Sequence, residues 1–384
     1  MKIAVPRETA AGETRVALAP ESVKKLKAAG YSVVVERDAG AASHFLNEAY
    51  LEAGAAVEPW SDGFLGDADL VLRVGAPGTV ADRDEIGTMR KDAILLTSLM
   101  PLRNLGAVRQ LAARGVSAFS TDAIPRTTRA QAMDTLSSMA NIAGYRGVLL
   151  GALELPKYLP MFMTAAGTVL PARYFIIGAG VAGLQAIATA KRLGASVFAT
   201  DVRPEVKEQI ESVGARYVGI ELTGGASAGG GYARELSEQD KARQRELLDE
   251  QCATSDVVVT TALIGGVFAP RLISAQTVQR MRPGSVIVDL AADGGGNCEL
   301  SRPGASITEH GVRILAPLNI AASMPTHASL LWSRNLTNFV LAFTKDKAFA
   351  LDLADDIQRG AIITHAGEIM HAKTKEALQA APGA

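Results

Sequence analysis

Gly178, Gly180 and Gly183, set in the run Tyr174-Phe-Ile-Ile-Gly-Ala-Gly-Val-Ala-Gly, have the spacing that holds the diphosphate of a dinucleotide. Gly178 permits a tight turn, Gly180 lets the backbone approach a pyrophosphate, and Gly183 lets a helix pack closely on its strand. The diphosphate then sits on the helix N-terminus, where free N–H groups and the macrodipole favour negative charge. Glycines in this pattern also mark ordinary turns, so the surroundings decide. Here β-branched and aromatic residues come first, Leu184, Ala186, Ile187 and Ala190 follow at helical spacing, and Asp201 arrives about twenty residues on. A carboxylate there accepts hydrogen bonds from an adenosine ribose and repels a 2′-phosphate, which favours NAD(H) over NADP(H). Arg203 keeps the NADP(H) alternative open, since a guanidinium can contact a phosphate or stack on adenine.

A second polar set precedes the glycines. Arg126, Arg129, Gln131, Asp134, Ser137 and Ser138 crowd one turn and the start of a helical pattern. Asp134 and Ser138 are four apart and face the same way, with Ser137 three from Asp134. Such donors and acceptors can orient a nicotinamide carboxamide; a helix N-cap with solvated polar neighbours reads equally well. Hydride transfer between two nicotinamides needs no general acid or base. A dehydrogenase acting on a hydroxy or amino acid needs one, with a cation for the carboxylate. Arg15, Arg73, Ser98 and Asp293 stand near the expected strand ends, without a histidine.

The elements that must position these groups follow from periodicity. Candidate strands at 3–5, 32–36, 69–74, 93–97 and 116–120 alternate with helical spacing at 21–30, 47–54 and 105–115. Strands resume at 174–177, 196–200, 216–220, 256–260, 285–290 and 313–315. Such alternation means βαβ crossovers and parallel sheets. Long helical patterns at 133–155 and 328–344 flank the second series. The expected fold is α/β, with two doubly wound parallel-sheet, Rossmann-like domains joined by two long helices and a cleft between them. Domain 1 takes 1–135 and 328–384, and domain 2 takes 136–327. Residues 221–245 hold five glycines and then a charged run without an apolar stripe, which reads as a mobile loop, either a lid or an inert insertion.

Composition narrows the function classes. Lys and Arg total 39 against 40 for Asp and Glu among 384 residues, so no basic face for nucleic acid is implied. Cys252 and Cys298 form no CxxC, which suits a reducing compartment, and the five histidines have no metal-ligand spacing. The chain opens on a strand-like run without a signal peptide, and Glu154, Pro156, Lys157 and Pro160 interrupt its most apolar stretch, so a soluble cytoplasmic protein without membrane insertion is expected.

Several further motifs carry a resemblance. The opening Met1-Lys-Ile-Ala-Val-Pro-Arg-Glu and Gly12-Glu-Thr-Arg-Val-Ala-Leu-Ala-Pro resemble the signature shared by alanine dehydrogenases and nicotinamide nucleotide transhydrogenases. The segments 126–138, 144–146, 163–168, 177–185, 201–209, 230–233, 260–264 and 294–299 resemble the transhydrogenase branch, over nearly the whole chain. Within it the chain is similar to the soluble NAD(H)-binding alpha-subunit component of the proton-translocating enzymes, in the split form whose membrane helices reside on separate chains. An end at Ala384 without a hydrophobic anchor fits that form.

The resemblance implies that NADH bound here passes its hydride to NADP⁺ on an NADP(H)-binding beta subunit. Proton movement through membrane-spanning subunits is coupled to this, and those partners keep the chain peripheral to the cytoplasmic side of the inner membrane. It implies a homodimer paired with one NADP(H)-binding subunit. Arg126, Gln131, Asp134 and Ser137 surround the nicotinamide end, with Gln131 bridging toward the partner's nucleotide. Val181, Asp201, Val202 and Arg203 hold the adenosine half, Leu263 lines the pocket, and Gly231 and Tyr232 close over the nucleotide as a mobile loop. Catalysis is then positioning by Gln131, Asp134, Ser137 and Tyr232, with no metal. The alternatives are an NAD-dependent alanine dehydrogenase, against which stand Arg73 and Ser98 where those enzymes carry lysine and histidine, and an NADH-binding sensor without turnover.

Overall fold

The computed structural model describes residues 1–61, 63–80, 83–219, 238–263 and 269–380. The chain forms two compact units, Met1–Met139 with Ala322–Ala384, and Ala140–Ala321. The first unit begins with β1 (Lys2–Val5), α1 (Pro20–Ala28), β2 (Ser32–Glu36), α2 (Asn47–Ala53) and β3 (Ala56–Glu58). It continues through β4 (Leu70–Leu72), β5 (Ile94–Thr97), α3 (Leu105–Arg114) and β6 (Ser117–Ser120). Both α2 and α3 end on glycines in the left-handed region, Gly54 at φ 90° and Gly115 at φ 78°, where a side chain would be strained.

Helix α4 (Thr135–Glu154) then carries the chain from one unit into the other. The second unit holds the hairpin β7 (Phe162–Thr164) and β8 (Gly167–Val169), then β9 (Arg173–Ile177), α5 (Val181–Arg192), β10 (Ser196–Thr200), α6 (Lys207–Ser212) and β11 (Arg216–Tyr217). After α7 (Glu238–Thr254) come β12 (Val257–Thr260), α8 (Ala275–Arg280), β13 (Val286–Asp289), β14 (Ser306–Glu309) and β15 (Val312–Leu315). The chain re-enters the first unit at the short 3₁₀ turn Ile320–Ser323, ahead of α9 (Pro325–Ala342), so α9 lies wholly within that unit. There α10 (Asp356–Ala361), β16 (Ile362–His365), β17 (Glu368–Ile369) and α11 (Ala372–Ala380) complete it.

Among the described residues the first unit has the strand order β17-β16-β6-β5-β4-β1-β2-β3 and the second β11-β10-β9-β12-β13-β15-β14. Each sheet is parallel except at one edge. In both, the first strand is flanked by the second on one side and a later one on the other, the switch point at which α/β sheets bind ligands beyond their carboxyl ends. Both faces are covered, as parallel sheets require: Tyr174 and Ile176 of β9 enter one core cluster, Phe175 and Ile177 the other.

Two expectations need correction. The segment expected as a loop over 221–245 is helical from Glu238 onward, as α7. Its charged residues are mostly Glu, Gln, Lys, Arg and Ala, good helix formers needing no apolar stripe. The end of α7 anchors it, because Leu248 and the buried Cys252 pack into the second unit's core. The rest of the expected loop, with Gly231 and Tyr232, lies outside the described residues. Strand β11 is shorter than expected, Arg216–Tyr217, pairing with β10 only at Phe198 and Ala199. No helix among the described residues is long and apolar enough to cross a membrane.

Candidate functional site

The register of the second unit aligns its central strand ends. Ile177 pairs with Thr200 on one side and Thr260 on the other, so Gly178, Asp201 and Thr261 all lie one residue past the sheet. The three glycines differ as their expected tasks require. Gly178 has φ 95°, and a Cβ there would lie 2.6 Å from Thr261 Oγ1. A Cβ on Gly183 would lie 1.8 Å from the Gly178 carbonyl oxygen, so α5 is packed against the turn as tightly as the backbone permits. A Cβ on Gly180 would meet nothing within 4 Å. Gly180 is also the N-cap of α5 and provides no side-chain cap, so the helix begins beside open space.

Asp201 is tied into this turn. Its Oδ2 accepts the Ala179 N–H at 2.7 Å, and its Oδ1 accepts the Arg203 N–H at 2.9 Å. The Arg203 guanidinium folds back onto the same carboxylate, Nε to Oδ1 at 2.9 Å and Nη2 to Oδ2 at 3.1 Å. Burial alone would raise the carboxyl's pKa, but the hydrogen bonds from Arg203 and Ala179 hold it below the usual range. Val181, Val202 and Leu263 are exposed apolar side chains at the ends of these segments.

Two buried residues outside the sequence-derived set brace the adjacent strand ends. Asp289 accepts hydrogen bonds from Thr260 Oγ1 at 3.0 Å, Cys298 N at 3.0 Å and Ser301 Oγ at 2.6 Å. Asn297 accepts from Ala262 N at 3.1 Å, and its amide donates to the carbonyls of Ala262 and Pro270 at 2.9 and 2.8 Å. The signal in the sequence is Asp289 itself, a carboxylate closing an apolar strand. Asp293 accepts the Asn319 N–H at 3.2 Å and so supports a residue at φ 45°.

In the first unit, Arg126 and Gln131 are exposed, with Gln131 on the 3₁₀ turn Thr128–Met133. Asn335 and Asn338 of α9 fix that turn by donating to the Ala132 carbonyl at 2.9 and 3.0 Å, and Arg129 pairs with Asp355 and Asp356. Asp134 caps α4: Oδ1 accepts the Ser137 N–H at 2.8 Å and Oδ2 accepts the Ser137 hydroxyl at 2.6 Å. Its partner is Ser137, since a cap residue sits outside the helical repeat that would have paired it with Ser138. Of the two roles the sequence leaves open, the cap is the one the structure displays.

The residues that would serve an amino-acid substrate are engaged internally. Arg73, 1% exposed, is paired with Glu8 at 2.8 Å and with Glu85. Arg15 pairs with Glu13 at 2.6 Å, and Ser98 Oγ donates to Asp122 at 3.0 Å.

Comparisons with known proteins agree with this architecture. Residues 4–143 match the family described as alanine dehydrogenase/PNT, N-terminal domain, and residues 147–372 match its C-terminal domain. The chain is 44% identical over 376 residues to the first of the separate chains that make up the NAD(P) transhydrogenase alpha subunit of Rhodospirillum rubrum, covering 97% of this chain and 98% of the relative. A crystal structure of transhydrogenase from Sinorhizobium meliloti superposes with a TM-score of 0.87 at 41% identity, covering 96% of this chain and 100% of that one. An L-alanine dehydrogenase structure superposes with a TM-score of 0.82 at 26% identity, covering 99% of both. The matches span both units and nearly every residue, and the chain belongs to the alanine dehydrogenase/PNT family.

Proposed function

We propose that this chain is the NAD(H)-binding component of a proton-translocating NAD(P) transhydrogenase. The observation that carries the reading is the turn of the second unit, where Gly178 and Gly183 are closed against backbone and Gly180 is open beside an uncapped helix start. That opening fits a diphosphate, and Asp201 and Arg203 stand at the neighbouring strand end, where the adenosine half belongs. When bound, NADH supplies the hydride for NADP⁺ held on a partner subunit. The chain's own residues bind and orient. Val181, Val202 and Leu263 flank the adenosine half. Arg126, Gln131, Asp134 and Ser137 hold the nicotinamide end, with Gln131 reaching toward the partner. Gly231 and Tyr232 cover the nucleotide. No side chain here moves a proton, since transfer between two nicotinamides calls for none.

Assembly follows the same reading. The β7–β8 hairpin presents Met163 at 79% and Leu170 at 76% exposure beside the exposed Tyr158, Met161 and Phe162, an apolar surface that suits a second copy of the chain in a homodimer. Partner subunits, namely the NADP(H)-binding and membrane-spanning chains, hold the dimer at the cytoplasmic face of the membrane. The alanine dehydrogenase reading is disfavoured by the internal pairing of Arg73, which leaves a substrate carboxylate without its cation.

The test combines the protein with an NADP(H)-binding transhydrogenase subunit and follows hydride transfer from NADPH to an NAD analogue. Turnover supports the proposal, and no turnover with any partner would leave a binding-only sensor. Rapid NADH oxidation by the isolated chain with pyruvate and ammonia would establish the dehydrogenase instead. Replacing Gln131 by Asn should slow transfer far more than it weakens NADH binding; equal losses would remove its bridging role.

A further inference from the structure

Asp201 and Arg203 send opposite signals to a nucleotide. At the end of a second Rossmann strand a carboxylate suits a ribose diol, whereas a guanidinium suits a 2′-phosphate. Here the two are joined. Four hydrogen bonds converge on the Asp201 carboxylate, from the amides of Ala179 and Arg203 and from Nε and Nη2 of Arg203, at 2.7 to 3.1 Å. The carboxylate side chain is 6% exposed while the guanidinium is 48% exposed. The acid is thus fixed by the turn, and the base is the partner able to leave. An exposed pair of this kind contributes little to folding, so swinging Arg203 away is a small step.

Building on the nucleotide placement proposed above, the geometry points to Arg203 as a latent 2′-phosphate ligand: Asp201 selects NAD(H) chiefly by holding that guanidinium, and losing the carboxylate would turn the site toward NADP(H). Two consequences separate this from simple charge repulsion. A carboxylate already neutralised by a chelating arginine repels a phosphate weakly, so removing it alone would gain little. The gain requires the released arginine, whose planar donors match a phosphate's oxygens. A chain that must take NADH while its partner takes NADP(H) has reason to keep such a ligand occupied.

The experiment is calorimetric titration of the full chain with NADH and with NADPH, for the wild type, Asp201→Ser, Arg203→Ala and the double variant. Asp201→Asn serves as a second release variant, because its carbonyl still accepts the Ala179 N–H while its amide repels the guanidinium. The expected result is NADH binding at least about 10-fold weaker in Asp201→Ser and NADPH binding at least about 10-fold tighter in both release variants, with the NADPH gain lost in the double variant. An NADPH gain that survives Arg203→Ala, or weakened NADH binding without any NADPH gain, overturns the inference and leaves the nucleotide placement standing. Unchanged titration with both nucleotides in every Asp201 variant overturns the placement itself, and the inference with it.

Discussion

The two units use one device at corresponding places, with opposite accessibility. In the second, Asp201 lies just past β10, accepts an N–H from the turn after β9 and is chelated by Arg203. In the first, Glu36 ends β2, accepts the Arg7 N–H after β1 at 2.7 Å and is chelated by Arg83 at 3.0 and 2.8 Å. Arg83 is buried, covered by the Trp60 ring 3.4 Å from its Cζ, and also pairs with Glu85, whereas Arg203 is half exposed. The neighbouring strand end differs likewise. Glu8 fills it in the first unit by accepting the Val74 N–H at 2.7 Å and Arg73 at 2.8 Å, while in the second the open side of Gly180 stands beside it. A switch point becomes a binding site only where the chain's own side chains have not already satisfied its backbone donors.

The sharpest test of this contrast is Arg83→Ala. It strands Glu36 and Glu85 in the core and should cost about 3 to 5 kcal/mol in denaturant unfolding, with NADH affinity unchanged. A loss below about 1 kcal/mol would mean that the sealed switch point contributes no stability. Next comes Gly183→Ala, whose Cβ has no room beside the Gly178 carbonyl oxygen. Overpacking there should cost about 3 kcal/mol and reduce NADH binding, and a variant that melts and binds like wild type would remove close helix packing from the account. Asp201→Ala should weaken NADH binding by about 1.5 to 3 kcal/mol, roughly 10- to 100-fold. Arg203→Ala, the open counterpart of Arg83→Ala, should change stability by less than about 1 kcal/mol.

The pH dependence carries the same sign as these pairings. The Asp201 carboxyl titrates below its ordinary value in the folded chain, so its contribution is fully present above the unfolded carboxylate pKa and is lost as pH falls through the lowered folded one. Wild type should therefore lose thermal stability in acid more steeply than Asp201→Asn; parallel acid profiles would count against the pairing.

Local pattern alone determines the α/β class, most strand positions, the glycine turn and Asp201. A strand's period, a glycine's tolerated φ and a helix stop are properties of a few consecutive residues, which is why α2 and α3 end on the expected glycines. Asp134 is legible as a polar residue at a helix start, though its two possible roles are not separable from spacing. Helix α7 escapes a periodicity reading because its composition favours a helix while its pattern lacks the apolar face that usually announces one. What only the tertiary structure decided is which charges meet. Arg83 reaches Glu36 across 47 positions, Asn297 reaches Ala262 across 35, and Trp332 donates to the Arg73 carbonyl across 259. Crossover helices bring distant strand ends together, and burial there determines whether an arginine is locked in the core or left able to move.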